Sequence, residues 1–168
     1  RPDLAHLTIA VNVSARQFRQ PEFVRQVTQA LATSGAPAHK LKLELTESLV
    51  VKEVEETTRK MTALKERGVG FSLDDFGTGY SHLTHMHKLA FDTMKVDQAF
   101  SREMLEDPRS MAIVEAIVRM GKALGADIVV EGIETEAMLQ ALRELGCDYA
   151  QGYLIGKPQT LDELLAKT

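Results

Sequence analysis

Cysteine is nearly missing: Cys147 is the single one in 168 residues. A lone thiol excludes an internal disulfide framework and suits a reducing compartment. It reads as a small packed residue, not a nucleophile. No block of consecutive basic residues occurs, and the formal net charge is -4. Chains that neutralise a polyanionic backbone carry a basic stripe, so no nucleic-acid polymer is expected as a partner. A small anion stays compatible, because bound cations reverse the local field. No apolar run approaches the roughly 20 residues that span a bilayer. No signal peptide is visible, and no membrane contact is expected of this segment. Low-complexity tracts and linkers are absent too. The chain opens Arg1-Pro2-Asp3 without methionine, so an excerpt from a longer polypeptide is expected.

What is present is an ordinary balance of 44% hydrophobic and 26% charged residues. The length suits one domain with a real core. Short apolar runs alternate with stretches of helical period. Strands are read at Leu7 to Val13, Leu41 to Leu45, Val69 to Leu73, Thr93 to Val96 and Asp127 to Val130, with a sixth at Tyr149 to Tyr153. Between them, Phe23, Val27 and Leu31 mark one helix face, opened by Pro21 and Glu22 and stopped by Gly35. Val54, Met61 and Leu64 mark a second helix, and Ile113, Ile117, Met120 and Leu124 a third, stopped by Gly125. Met138, Leu142 and Leu145 mark a fourth, closed by Gly146. Thr160 with Glu163 is a capping-box signature for a last helix. Such alternation predicts an α/β fold with parallel strands and helical crossovers. An open doubly wound sheet and a (β/α)8 barrel share that pattern. Six units fall short of a complete barrel, which takes about 250 residues.

Nearly every strand ends in a polar residue. The series is Asn12 and Ser14, Glu44 and Glu47, Asp74-Asp75, Lys95 and Asp97, Glu131 and Glu134, then Gln151. In parallel α/β folds the carboxyl ends of strands converge on one face, where sites are built. Acids buried there are costly unless paired or bound to metal. Asn12, Glu44, Asp74, Asp75 and Glu131 form an all-oxygen set that suits Mg²⁺, Mn²⁺ or Ca²⁺ better than zinc. Adjacent Asp74 and Asp75 repel each other, and a dication relieves that. Gly77 and Gly79 let the following loop turn sharply and approach a ligand. That loop is neither a P-loop nor a full dinucleotide fingerprint.

Plainer roles exist for each item. A lone Glu44 or Glu131 is more often a structural acid paired with a neighbouring lysine. Asp74-Asp75 is a plausible helix cap. Lys95 serves as an ion-pair partner of these acids whether or not it does chemistry. His82, His85 and His87 read as a surface helix, not as ligands. Methionines at helical spacing read as core. Agreement of six strand ends on one chemistry raises the site reading above its parts.

The motifs VNVSARQF, LELTES, DDFGTGYS, KVD, EGIET and QGYL, in this order, resemble the EAL family of cyclic-di-GMP phosphodiesterases from about Asn12 to Pro158. The resemblance implies a TIM-type (β/α)8-like barrel, here incomplete with about six strand–helix units. It implies hydrolysis of cyclic-di-GMP to linear pGpG with two Mg²⁺ or Mn²⁺ ions. By position, Asn12, Glu44 and Asp74 resemble ligands of the first ion. Asp74 resembles the bridge, and Asp75 and Glu131 ligands of the second. Lys95 resembles the lysine that holds the attacking water. Glu47 resembles the acid that fixes the glycine loop and couples metal binding to dimerisation, so a homodimer is implied. Gln151 resembles a pocket residue, and Asp97 and Glu134 match positions near the site.

The family's Glu-Ala-Leu motif is absent. It is expected upstream of Asn12, with the two opening strands and one more carboxylate. Residues 1–168 are therefore expected to be the larger, C-terminal part of such a domain, without turnover when isolated. Minor departures are His82 after Ser81 and the sequence VVEGIE in place of a small residue before the glutamate. The alternatives are a catalytically inactive cyclic-di-GMP receptor and, further off, an interaction scaffold. The implied location is the bacterial cytoplasm, with an anchor elsewhere in the parent left open.

Overall fold

Parallel strands cannot be joined by tight turns, so each must be followed by a crossover. Among the described residues, helices follow the first, second, fourth and fifth strands. The computed structural model describes residues 5–52, 54–77 and 88–167. In order they form β1 (Ile9–Asn12), α1 (Ala15–Phe18), α2 (Phe23–Ser34), β2 (Leu41–Thr46), α3 (Glu47–Lys52), α4 (Val54–Lys65) and β3 (Gly70–Phe76). There follow β4 (Thr93–Val96), α5 (Gln98–Ser101), α6 (Pro108–Ala123), β5 (Asp127–Val130), α7 (Glu136–Leu145), β6 (Tyr149–Ala150) and α8 (Leu161–Lys167).

All strand pairings are parallel. The spatial order is β1-β2-β3-β4-β5-β6, the same as the sequence order. A doubly wound sheet reverses direction at a switch point. Here the winding never reverses, as in a barrel, and the sheet is a curled half-barrel of six strands.

Side chains alternate across the strands. Leu43, Leu45, Phe71, Leu73, Met94, Val96, Ile128 and Val130 are buried and face the helices. Each such burial stabilises the fold by roughly 1.5–3 kcal/mol. Lys42, Glu44, Ser72, Thr93, Lys95 and Val129 line the opposite, concave face. Beneath the rim, Lys42 Nζ donates to Thr93 Oγ1 at 2.6 Å. The edge strands are uncovered: Ile9 and Val11 on β1 and Tyr149 on β6 are exposed.

Several expectations change. The strand expected over Leu7 to Val13 shortens to β1, and α1 lies where no helix was expected. Its cause is a capping box, with Ser14 and Gln17 bonded reciprocally. The helix marked by Val54, Met61 and Leu64 is preceded by a separate α3. On α6 the buried residues are Val114, Ile117, Val118 and Gly121, while Ile113 and Leu124 are exposed. The helix is apolar on more than one side, and its contact side is set by Gly121. A Cβ there would lie 2.1 Å from Ile128 Cδ1 on β5. The expected strand Tyr149 to Tyr153 stops at Ala150, because Gly152 turns to pack on Ile133. Cys147 is half-buried, and burial, reinforced by Asp148, pushes its thiol up to about 11. The Thr160–Glu163 capping box forms as expected. Gly79, His82, His85 and His87 lie outside the described residues.

Candidate active site

The site stands on the rim where β1 to β6 end. Asn12 pairs in register with Glu44, and Thr46 with Asp74. Side-chain alternation would send neighbours Asp74 and Asp75 to opposite faces. A bulge prevents this. Leu73 pairs with Met94 but Phe76 with Val96, so three steps on β3 match two on β4. Such an extra residue re-aims a side chain. Asp75 takes φ 55°, the left-handed region that Asp tolerates better than most residues. The outcome is that Phe76 faces the core, and carboxylate oxygens of Asp74, Asp75 and Glu131 lie within 4.8 Å of one another.

Lys95 sits among these acids, its side chain 8% exposed. Its Nζ is 2.6 Å from Glu131 Oε1, 3.1 Å from Asp74 Oδ1 and 3.2 Å from Glu44 Oε2. One ammonium from β4 thus contacts acids from β2, β3 and the end of β5. Burial works to lower its pKa, but hydrogen bonds to Glu131 and Asp74, with their charges, outweigh it and hold it above the usual lysine range. Asp75 is left with less compensation. Burial, then the charges of Asp74 and Asp97, a hydrogen bond shared with Asp97 and the Glu131 charge push its carboxyl above the ordinary range.

Glu47 is buried at the start of α3, and Gly77 N–H donates to its Oε2 at 3.1 Å. Gly77 has φ 95°, and a Cβ there would lie 2.8 Å from Phe100 Cε2. Both facts require glycine. Asp97 caps α5, accepting from Ala99 N–H at 2.7 Å. Asn12, at the exposed end of β1, is beside Glu44 in register.

Glu131, Glu134 and Gln151 share a cavity of about 270 Å³ with Gln98, Arg102 and Tyr153. Its walls are locked together by backbone contacts. Gly152 must be glycine, since a Cβ would lie 2.2 Å from the Ile133 carbonyl oxygen. Ile133 N–H donates to Gln151 O, and Leu154 N–H to Ile133 O, both at 3.1 Å. The buried Ser101 hydroxyl donates to the Glu131 carbonyl. Sequence reasoning missed Ser101, Arg102 and Tyr153. The Gln98–Arg102 spacing of one helical turn was the available signal.

The donor set fits a divalent cation. Three carboxylates at this spacing carry excess negative charge and offer hard oxygens.

The chain matches the EAL domain family model over residues 1–158. The chain belongs to the EAL family.

Among its EAL relatives, it is 41% identical over 162 residues to the bifunctional diguanylate cyclase/cyclic di-GMP phosphodiesterase MucR of Pseudomonas aeruginosa, covering 96% of this chain and 24% of that protein. The chain spans about a quarter of the length of the curated relatives it matches. The PaMucR phosphodiesterase structure, a c-di-GMP complex, superposes with TM-score 0.92 at 40% identity, covering 97% of this chain and 67% of that one. Klebsiella pneumoniae BlrP1, a manganese/cy-diGMP complex, superposes with TM-score 0.81 at 29% identity, covering 90% of this chain and 39% of that one. No helix among the described residues is long and apolar enough to cross a membrane.

Proposed function

We propose that this chain is the larger part of the catalytic barrel of a cyclic-di-GMP phosphodiesterase that opens its substrate to linear pGpG. The observation that carries the proposal is the Lys95 bridge among Glu44, Asp74 and Glu131, with Asp75 turned toward them by the bulge. Support comes from relatives named for this activity.

Asn12, Glu44, Asp74, Asp75 and Glu131 would hold two Mg²⁺ or Mn²⁺ ions. Those ions would neutralise the phosphate and acidify water. The remaining work falls to the chain itself. Lys95 orients the attacking water with its ammonium and balances the surrounding acids. Water oxygen adds to phosphorus, the bond from phosphorus to one ribose 3′-oxygen breaks, and that oxygen takes up the proton. Glu47 keeps the backbone at Gly77 in place. Gln151 and Glu134 face the substrate beside Glu131.

A second reading is favoured by the same bridge. An ammonium that already compensates three carboxylates would let the site stand without metal, as in a cyclic-di-GMP receptor that does not cut. Incubating the full-length protein with cyclic-di-GMP and Mn²⁺ separates the two. Formation of pGpG, lost in Glu44→Gln and Asp74→Asn, supports the enzyme. Binding without product supports the receptor.

A further inference from the structure

In the sheet β3 lies between β2 and β4, yet two side-chain contacts join those outer strands across the concave face. The upper contact is Lys95 Nζ on Glu44 Oε2 at 3.2 Å, within the acid cluster. The lower one is Lys42 Nζ donating to Thr93 Oγ1 at 2.6 Å. Each joins residues 51 apart in the chain. They therefore run as parallel rungs, Lys42–Thr93 one layer below Glu44–Lys95. Residues of alternate strands share such layers inside a barrel. Residues two apart on a strand share a face, so each end of the lower rung stands directly under an end of the upper one.

Room for the lower rung comes from β3. Gly70 pairs in register with Lys42. A Cβ on Gly70 would lie 3.7 Å from Lys42 Cε, so the lysine stem passes over a bare backbone. Ser72, the next residue on that face, is small and buried, in register with both Glu44 and Thr93. Side chains this short on β3 leave the span from β2 to β4 to the rung. Thr93 is itself buried. A charged donor on a buried hydroxyl makes one of the stronger hydrogen bonds, and removing one partner leaves the other poorly satisfied.

The chemistry set out above gives Lys42 and Thr93 no task, but it depends on the span they bridge. A cation shared by Glu44 and Asp74 needs oxygens from adjacent strands at fixed separations, and Mg²⁺ demands near-ideal geometry at about 2.0–2.1 Å. A small slip of β2 against β4 would displace Glu44 from Lys95 and from such a cation together. We propose that Lys42 and Thr93 are positioning residues, whose rung sets the place of Glu44 against Lys95 one layer above. The inference rests on the metal-dependent reading above and adds the layer that supports it.

The test uses the full-length protein and the variants Lys42→Met, Thr93→Val, Thr93→Ser and the double variant Lys42→Met/Thr93→Val. Mn²⁺ affinity is read first, by calorimetry without substrate. Lys42→Met and Thr93→Val should each weaken it about ten-fold, the lower end of what an outer partner contributes. Thr93→Val keeps the Lys42 charge, so its loss isolates the hydrogen bond. The double variant should be no weaker than the worse single one, because both remove the same contact. Thr93→Ser keeps the hydroxyl and should bind Mn²⁺ as the parent does. With cyclic-di-GMP at saturating Mn²⁺, the weakened variants should lose kcat with KM little changed, since Lys95 is displaced as well.

Parental Mn²⁺ affinity in either single variant, even with a lowered Tm, makes the rung a structural contact and overturns the proposal. So does a Thr93→Ser variant as weak as Thr93→Val, or losses that add in full in the double variant. If Lys42→Met does not fold, Thr93→Val against Thr93→Ser decides. A parent that binds Mn²⁺ without cleaving cyclic-di-GMP removes the phosphodiesterase reading, and the variants' Mn²⁺ affinities still judge the rung. A parent that does not bind Mn²⁺ overturns both.

Discussion

Lys95 Nζ and Glu131 Oε1 are 2.6 Å apart, the shortest of three contacts by which one ammonium draws together carboxylates from three strands. Glu131 is fixed from behind, since its N–H donates to Val96 O at 3.1 Å and its carbonyl accepts from Ser101. The acid is thus aimed by backbone, and the lysine by charge.

Replacing Lys95 with alanine leaves three partly buried carboxylates without their counter-ion. Breaking such a buried pair costs about 3–5 kcal/mol. Thermal unfolding of metal-free protein should show a clear fall in Tm. Added Mn²⁺ should restore part of it, because a cation can take over the compensation, while turnover stays lost. A variant with unchanged metal-free Tm would contradict the charge role assigned to Lys95.

Asp75 gives a pH prediction. Its folded-state pKa is raised, by burial first and then by Asp74 and Asp97. The folded state therefore binds its proton more tightly than the unfolded state. This contribution favours folding at low pH and is lost as pH rises through the raised value. Comparing metal-free parent with Asp75→Asn by denaturant melts isolates it. The variant's stability advantage should grow as pH rises from the ordinary carboxylate range toward neutrality. Saturating Mn²⁺ should cancel or reverse that advantage.

Glu47 acts through the Gly77 backbone, whose N–H donates to it. Partners of that kind typically matter by 10–100-fold in metal affinity or activity. Glu47→Ala should weaken Mn²⁺ activation by about that factor. Glu47→Gln keeps an oxygen acceptor and should retain more. Metal titrations of initial rate distinguish the two.

Gly152→Ala tests the interlock of the loops after β5 and β6. The new Cβ would lie 2.2 Å from Ile133 O and 2.3 Å from Ile133 N, and backbone cannot step aside as a side chain can. Overpacking of this type costs about 1–3 kcal/mol or more. A measured Tm equal to the parent's would remove the close packing of these two loops.

Much of the architecture was legible because it is written at short range. Thr93 to Val96 and Asp127 to Val130 match β4 and β5 to the residue. Gly35 and Gly146 end their helices in the left-handed conformation expected of them. The side of α6 was not legible. Ile113 and Leu124 fit a helical stripe as well as Val114 and Val118 do, and only contact with Ile128 selects between them. Nor was α1 expected, although Ser14 and Gln17 carry its signal. At the site, polar residues at successive strand ends announced a common rim, and the EAL motifs named the family.

The linear chain by itself determined roughly where each strand lies, and β4 and β5 to the residue, because alternation, turn residues and caps act over a few positions. Only the tertiary structure decided which residues at the strand ends meet. The bulge that turns Asp75 beside Asp74 is a mismatch between β3 and β4, and a mismatch exists only once both strands are paired. The bridging by Lys95 needs the unreversed order of β2 to β5. Charges separated by dozens of residues interact through space, and their distance is set by how the sheet curls.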